Sequence, residues 1–142
     1  MLSMSSPAPL DVTDWNALTY AITPQRPLTL DLRVPRSPAP PPLIVYIPMA
    51  GFRQCLMKKT PWWLVDHGFA VASIDCRGSG EAIAPAAVHD CKAAVRWLRS
   101  KAGEFGYRAN AIGAFPHPGD FFHQVFLYHM ALNGIQVVRA LT

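Results

Sequence analysis

At 142 residues the chain can bury one sizeable core but is short for most α/β enzymes, so a single domain is expected. Its 51% hydrophobic and 15% charged residues argue against disorder. The net charge of +4 comes from dispersed basic residues such as Lys58-Lys59, Arg96, Arg99 and Lys101, too sparse for a nucleic-acid groove.

The opening MLSMSSPAPL has neither a basic start nor a long apolar run, so it does not read as a signal peptide. No apolar run approaches the ~18 residues that span a bilayer. A soluble, cytoplasmic protein with no membrane partner is expected. Residues 1–27, with scattered prolines, read as a loose N-terminal arm with one short helix around Val12–Leu18. LTLDLRV (28–34) alternates apolar and polar residues, the pattern of a strand with one wet face near a sheet edge. PRSPAPPP (35–42) is a stiff surface connector, because proline lacks the ladder donor and fixes φ. LIVYI (43–47) is a continuous apolar strand of the kind buried on both faces.

After a loop (48–59), TPWWLVDHG (60–68) reads as a helix with Thr60 as N-cap, Pro61 in the first turn and Gly68 as its stop. FAVASID (69–75) is a buried strand and CRGSGEAIAP (76–85) a loop. In AAVHDCKAAVRWLRSKAGEFG (86–106), Ala87, Val88, Cys91, Ala94, Val95 and Leu98 form one apolar helical stripe, while Asp90, Arg96 and Arg99 face elsewhere. AIGAF (111–115) is a second buried strand, 121–132 a mostly apolar helix, and IQVVRAL (135–141) a final strand after the Asn133-Gly134 turn. Strands alternating with helices imply an α/β fold: three layers, a mostly parallel sheet and helices on both faces. Residues 1–142 read as one domain.

These residues resemble a known family. LDLRVP, the proline-rich link, LIVYI with its Gly-containing loop, FAVASIDCRGSGEAIAPAAVHDCKAAVRWLR and AIGAF are similar to the N-terminal half of α/β-hydrolase esterases and lipases. The nearest subgroup includes acetyl and feruloyl esterases of plant polysaccharides. The resemblance covers roughly residues 28 to 115, and 69–115 is its most specific block. It implies an incomplete α/β-hydrolase fold, no cofactor, and a small ester or acylated carbohydrate as ligand.

The family's chemistry requires a serine in G-x-S-x-G on a sharp strand-to-helix turn, oxyanion donors, and a later acid and histidine. The HGGG-type oxyanion loop maps to Pro48-Met49-Ala50-Gly51, followed by Phe52; only Gly51 matches, which leaves Ala50, Gly51 and Phe52 as candidate oxyanion-loop residues. An ordinary βα loop is the alternative. The elbow maps to Pro116-His117-Pro118-Gly119-Asp120, with Pro118 at the nucleophile position. Proline has no nucleophilic atom, and its ring resists the strained φ of an elbow. Ser73, Ser79 and Ser100 lie outside any elbow context, and no family-like acid followed by histidine comes after Asp120. No catalytic residue is assigned, and the chain is expected to be inactive as a serine esterase. A shift of reading frame near Phe115 is an alternative account of the tail.

Other features read more simply. Cys55, Cys76 and Cys91, without CxxC spacing, suggest neither a disulfide framework nor a zinc site. His117, Asp120, His123 and His129 are ligand types, but His123 and His129 do not share a helical face, so no metal site is expected. Trp62-Trp63 reads as helix packing, with a platform for a sugar or aromatic ester as the alternative. Arg77 resembles a family position that ties loops together. GSGEA (78–82) lacks G-x-G-x-x-G and is not a phosphate loop. The contrasting function is a non-enzymatic binding or interaction remnant. Unpaired strands at an open sheet edge would then favour self-association.

Overall fold

The computed structural model describes residues 11–47, 49–50, 54–55, 60–78, 80–83, 86–116 and 136–137. Six strands form one sheet: β1 (Val12–Ile22), β2 (Pro27–Pro35), β3 (Leu43–Ile47), β6 (Ala70–Ile74), β7 (Ile112–Pro116) and β8 (Gln136–Val137), in the order β1-β2-β6-β3-β7-β8. Two-residue strands β4 (Met49–Ala50) and β5 (Gln54–Cys55) pair separately. The sheet is mixed. β1 pairs antiparallel with β2 and β2 with β6, whereas β6, β3, β7 and β8 are parallel to one another.

Val12–Ile22 is an eleven-residue strand paired with β2, not a helix within a loose arm. Two register irregularities, between Trp15 and Leu18 and between Thr19 and Ala21, each place an extra residue on β1. Trp15, Leu18 and Ala21, all packed against the core, therefore recur every third position, which imitates helical spacing in a strand whose true period is two. Ala17 adopts φ 55° within the first irregularity, and its N–H donates to Asp31 Oδ1 at 2.8 Å. β2 is accordingly the second strand of the sheet.

The alternation read in 28–34 is real. Leu28, Leu30, Leu32 and Val34 are buried, and the residues between them are half-covered. All five residues of β3 and of β6 are buried, as continuous apolar runs require in the middle of a sheet. Val45, Leu43 and Ile47 of β3, Ala70, Ala72 and Ile74 of β6, and Ile112 and Ala114 of β7 join the β2 leucines in one core. Helix α1 (Ala86–Ser100) closes this face with Ala87, Cys91, Ala94, Val95 and Leu98. Each fully buried Leu or Val contributes about 1.5–3 kcal/mol of transfer free energy. The expected long helix is divided: α1 ends at Ser100, and α2 (Ala102–Phe105) ends at Gly106, whose φ of 87° is one that L residues seldom adopt.

The opposite face carries a 3₁₀ helix, Trp62–His67, packed on β2 and β6. Thr60 was expected to cap it; instead its hydroxyl meets the buried Ser73 hydroxyl at 2.6 Å. Gly68 terminates this helix at φ 88°, as read from the sequence. The proline-rich connector also contributes to the sheet margin. Pro41 and Pro42 cannot donate, but their carbonyls accept from Arg108 N and Ala70 N, both at 2.9 Å.

Candidate functional site

The strand order fixes where a ligand crevice can form. After β3 the chain crosses to β6 on one side, whereas β8 lies beyond β7 on the other side. Neighbouring parallel strands whose onward connections diverge leave a crevice at their carboxyl ends. β3 and β7 are such a pair, and their ends are level: Tyr46 pairs with Phe115 and Ile47 with Pro116. The Tyr46 and Phe115 rings lie 6.2 Å apart, tilted by 43°. Ala50 and Pro116 thus belong to the segments that leave the sheet at this one end. Ala50 pairs with Gln54, and Met49 with Cys55, so the candidate oxyanion segment begins as a narrow hairpin. Gly51, Phe52, His117, Pro118, Gly119 and Asp120 lie outside the described residues, as do Ser79, His123 and His129.

The described serines sit elsewhere. Ser73 is fully buried beneath the 3₁₀ helix against Thr60. Ser100 ends α1 and donates to the Trp97 carbonyl at 2.7 Å. His67 and His89 are exposed. Among the described residues no group of three His, Cys, Asp or Glu side chains could hold a metal ion. Nor, among them, is any helix long and apolar enough to cross a membrane.

The loop that follows β6, next to the crevice, is held by two arginines. Arg77 makes a fork with Asp90: Nη2 to Oδ1 at 2.7 Å and Nε to Oδ2 at 3.0 Å, while the Arg77 backbone N–H donates to Oδ2 at 2.9 Å. Asp90 is only 3% exposed, which corrects its placement on the polar face of α1. A carboxylate is tolerated there because its oxygens are saturated by charge-assisted donors. Arg77 Nη1 also reaches Gln25 Oε1 at 3.0 Å. Its role as a loop tie, implied by the resemblance, has a geometric basis.

Arg26, which sequence reasoning missed, is the second clamp. Its guanidinium donates to both Asp75 oxygens, to both Glu81 oxygens (2.7 and 3.1 Å) and to the Cys76 carbonyl at 3.3 Å. Hydrogen bonding to Arg26 holds the Glu81 carboxyl below its ordinary range. The Tyr20 hydroxyl donates to the Asp75 carbonyl. Burial first, then the neighbouring Cys91 and Cys76, push this phenol well above its ordinary value. The signal for Arg26 was the Thr23–Arg26 turn, where Thr23 N and Oγ1 both donate to the Arg26 carbonyl. It became legible only with β1 recognised as the first arm of a hairpin.

A mixed sheet with parallel β6-β3-β7, a crossover through α1, and loop ends gathered beside β3 and β7 is the architecture of the α/β-hydrolase esterases. The chain belongs to the BD-FAE family of esterases, whose model matches residues 30–116, more than half of its length. No curated protein matches it. Among solved structures it is similar to a truncated carbohydrate esterase from gut microbiota, at 30% identity and TM-score 0.63, covering 73% of this chain and 39% of that one. A bifunctional GH43-CE protein of Bacteroides eggerthii aligns at 28% identity and TM-score 0.60, covering 72% and 16%. An esterase of Thermogutta terrifontis shares the fold at 21% identity and TM-score 0.61, covering 75% and 39%. The chain therefore spans well under half the length of each of these relatives.

Proposed function

We propose that this chain is a carboxylic-ester-hydrolase scaffold that binds a small ester or an acylated carbohydrate at the β3/β7 crevice without hydrolysing it by the serine mechanism. The observation that carries this reading is the register of Ile47 with Pro116. It ends β7 level with β3 at the crevice, and the sequence that continues from there, His117-Pro118-Gly119-Asp120, has no hydroxyl or thiol to attack an acyl carbon. Ser73 and Ser100 are committed elsewhere. The carbohydrate preference draws on the gut-microbiota carbohydrate esterase and the GH43-CE protein. The fuller layout belongs to the same reading: three layers, with helices on both faces of the sheet.

The test is hydrolysis of p-nitrophenyl acetate together with labelling by a fluorophosphonate. The expected result is no turnover above the uncatalysed rate and no labelled serine. Turnover accompanied by a labelled serine overturns the reading. A purely interacting remnant is the second reading. On the β1 side it is disfavoured by the two register irregularities and the left-handed Ala17, which interrupt the row of ladder groups that strand addition needs.

A further inference from the structure

The two tryptophans of the 3₁₀ helix border a cleft at the other end of the sheet. It is an open surface cleft of about 330 Å³, lined by Val12, Asp14, Arg33, Trp62, Trp63 and Asp66, among others. Arg33 pairs with Val71 near the start of β6, whereas Asp75 and the arginine clamps follow its end. The four residue steps from Val71 to Asp75 separate the two places by roughly 13 Å along the strand. This cleft is therefore distinct from the β3/β7 crevice.

Its chemistry is specific. The Arg33 guanidinium lies over the Trp62 ring, 4.2 Å from the centroid, and its Nε is 3.4 Å from Asp14 Oδ1. That stack fixes the floor and commits Trp62 to packing. Trp63 is different: it remains 58% exposed, and its ring meets His67 in a T-shaped contact at 5.8 Å between centroids. In a 3₁₀ helix, positions i and i+3 eclipse, so Asp66 stands directly in line with Trp63. The cleft thus combines an exposed indole, an adjacent acceptor carboxylate, and an Arg33–Asp14 pair that offers both donor and acceptor atoms.

We propose that this cleft binds a neutral pyranose unit of a glycan whose ring hydroxyls are equatorial. A pyranose with equatorial hydroxyls presents a flat C–H face to an indole and a rim of hydroxyls to carboxylates and guanidinium. Two carboxylates against one arginine disfavour an anionic ligand, and the polar rim disfavours a purely apolar one. The site needs no nucleophile, and it stands or falls independently of the reading given for the β3/β7 crevice.

The test is titration of the full chain with xylohexaose and with cellohexaose, followed by tryptophan fluorescence and calorimetry. Saturable binding of at least one hexasaccharide is expected. Trp63→Ala should weaken it about tenfold or more, and Asp66→Asn severalfold, with the melting temperature of each variant held near that of the parent. The exposed position of Trp63 makes loss of folding a minor concern, and Asp66→Asn decides the matter should Trp63→Ala fail to fold. Absence of saturable binding to both sugars overturns the proposal. So does binding that both variants leave unchanged, or capture of methyl ferulate without either sugar.

Discussion

Arg77 and Asp90 join the loop after β6 to the buried face of α1 through a two-pronged ion pair, with Nη2 2.7 Å from Oδ1 and Nε 3.0 Å from Oδ2. The Arg77 and Asp90 side chains are 15% and 4% exposed. Removing the charge of one partner leaves the other desolvated and unmatched. Asp90→Asn should destabilise the fold by about 3 kcal/mol in urea denaturation. A cost below about 1 kcal/mol would show that water can replace the carboxylate and that the pair does not set the loop.

Leu98 is fully buried on the same helix and faces the strand core. Leu98→Ala should cost about 2–5 kcal/mol, the transfer term plus that of the cavity left behind. Chemical denaturation measures it. A value near that of a surface substitution would mean that α1 is not the main cover of this sheet face.

Two backbone positions should respond in opposite directions. Ala17 sits at φ 55°, where a Cβ is strained, so Ala17→Gly should stabilise by about 1 kcal/mol. Gly68 sits at φ 88° with nothing within 4 Å of an added Cβ, so Gly68→Ala should lose about 1 kcal/mol through the backbone alone. Paired thermal melts read both. Equal shifts of the same sign would contradict the assigned conformations.

Alkaline pH should expose the buried phenols. Burial raises the Tyr20 and Tyr107 hydroxyls above the ordinary value near 10, so the folded chain keeps protons that the unfolded chain releases. Their contribution is complete below about pH 10 and is lost as the pH climbs beyond it. Tyr20→Phe should cost about 1 kcal/mol at neutral pH through the lost bond to the Asp75 carbonyl, and it should flatten the alkaline decline. An alkaline slope identical to that of the parent would remove Tyr20 from this account.

Residues that obey one local rule were legible in advance. Leu28, Leu30, Leu32 and Val34 alternate because one face of β2 is buried, and LIVYI is apolar throughout because β3 is covered on both faces. Asp90 was not legible. Its period assigns it to the polar side of α1, and only a guanidinium arriving from the loop after β6 makes its burial tolerable. Thr60 likewise has the identity of a helix cap, yet its hydroxyl is opposite Ser73, thirteen positions away.

The amino-acid sequence by itself determined the family, and it puts Pro118 where the resemblance expects a nucleophile. The strand and helix patterns of 28–115 and the Pro116-His117-Pro118-Gly119-Asp120 run are local facts, and chemistry at one atom needs only the residue that carries it. The tertiary structure alone decided that Val12–Ile22 is a strand, that Arg26 and Arg77 brace the loop beside the crevice, and that Trp63 stands exposed at an open cleft while Trp62 is stacked under Arg33. Each of these depends on a partner far away in the chain. Bulges disguise the period of β1, and whether a charge or an indole is covered is settled by neighbours that one-dimensional spacing does not contain.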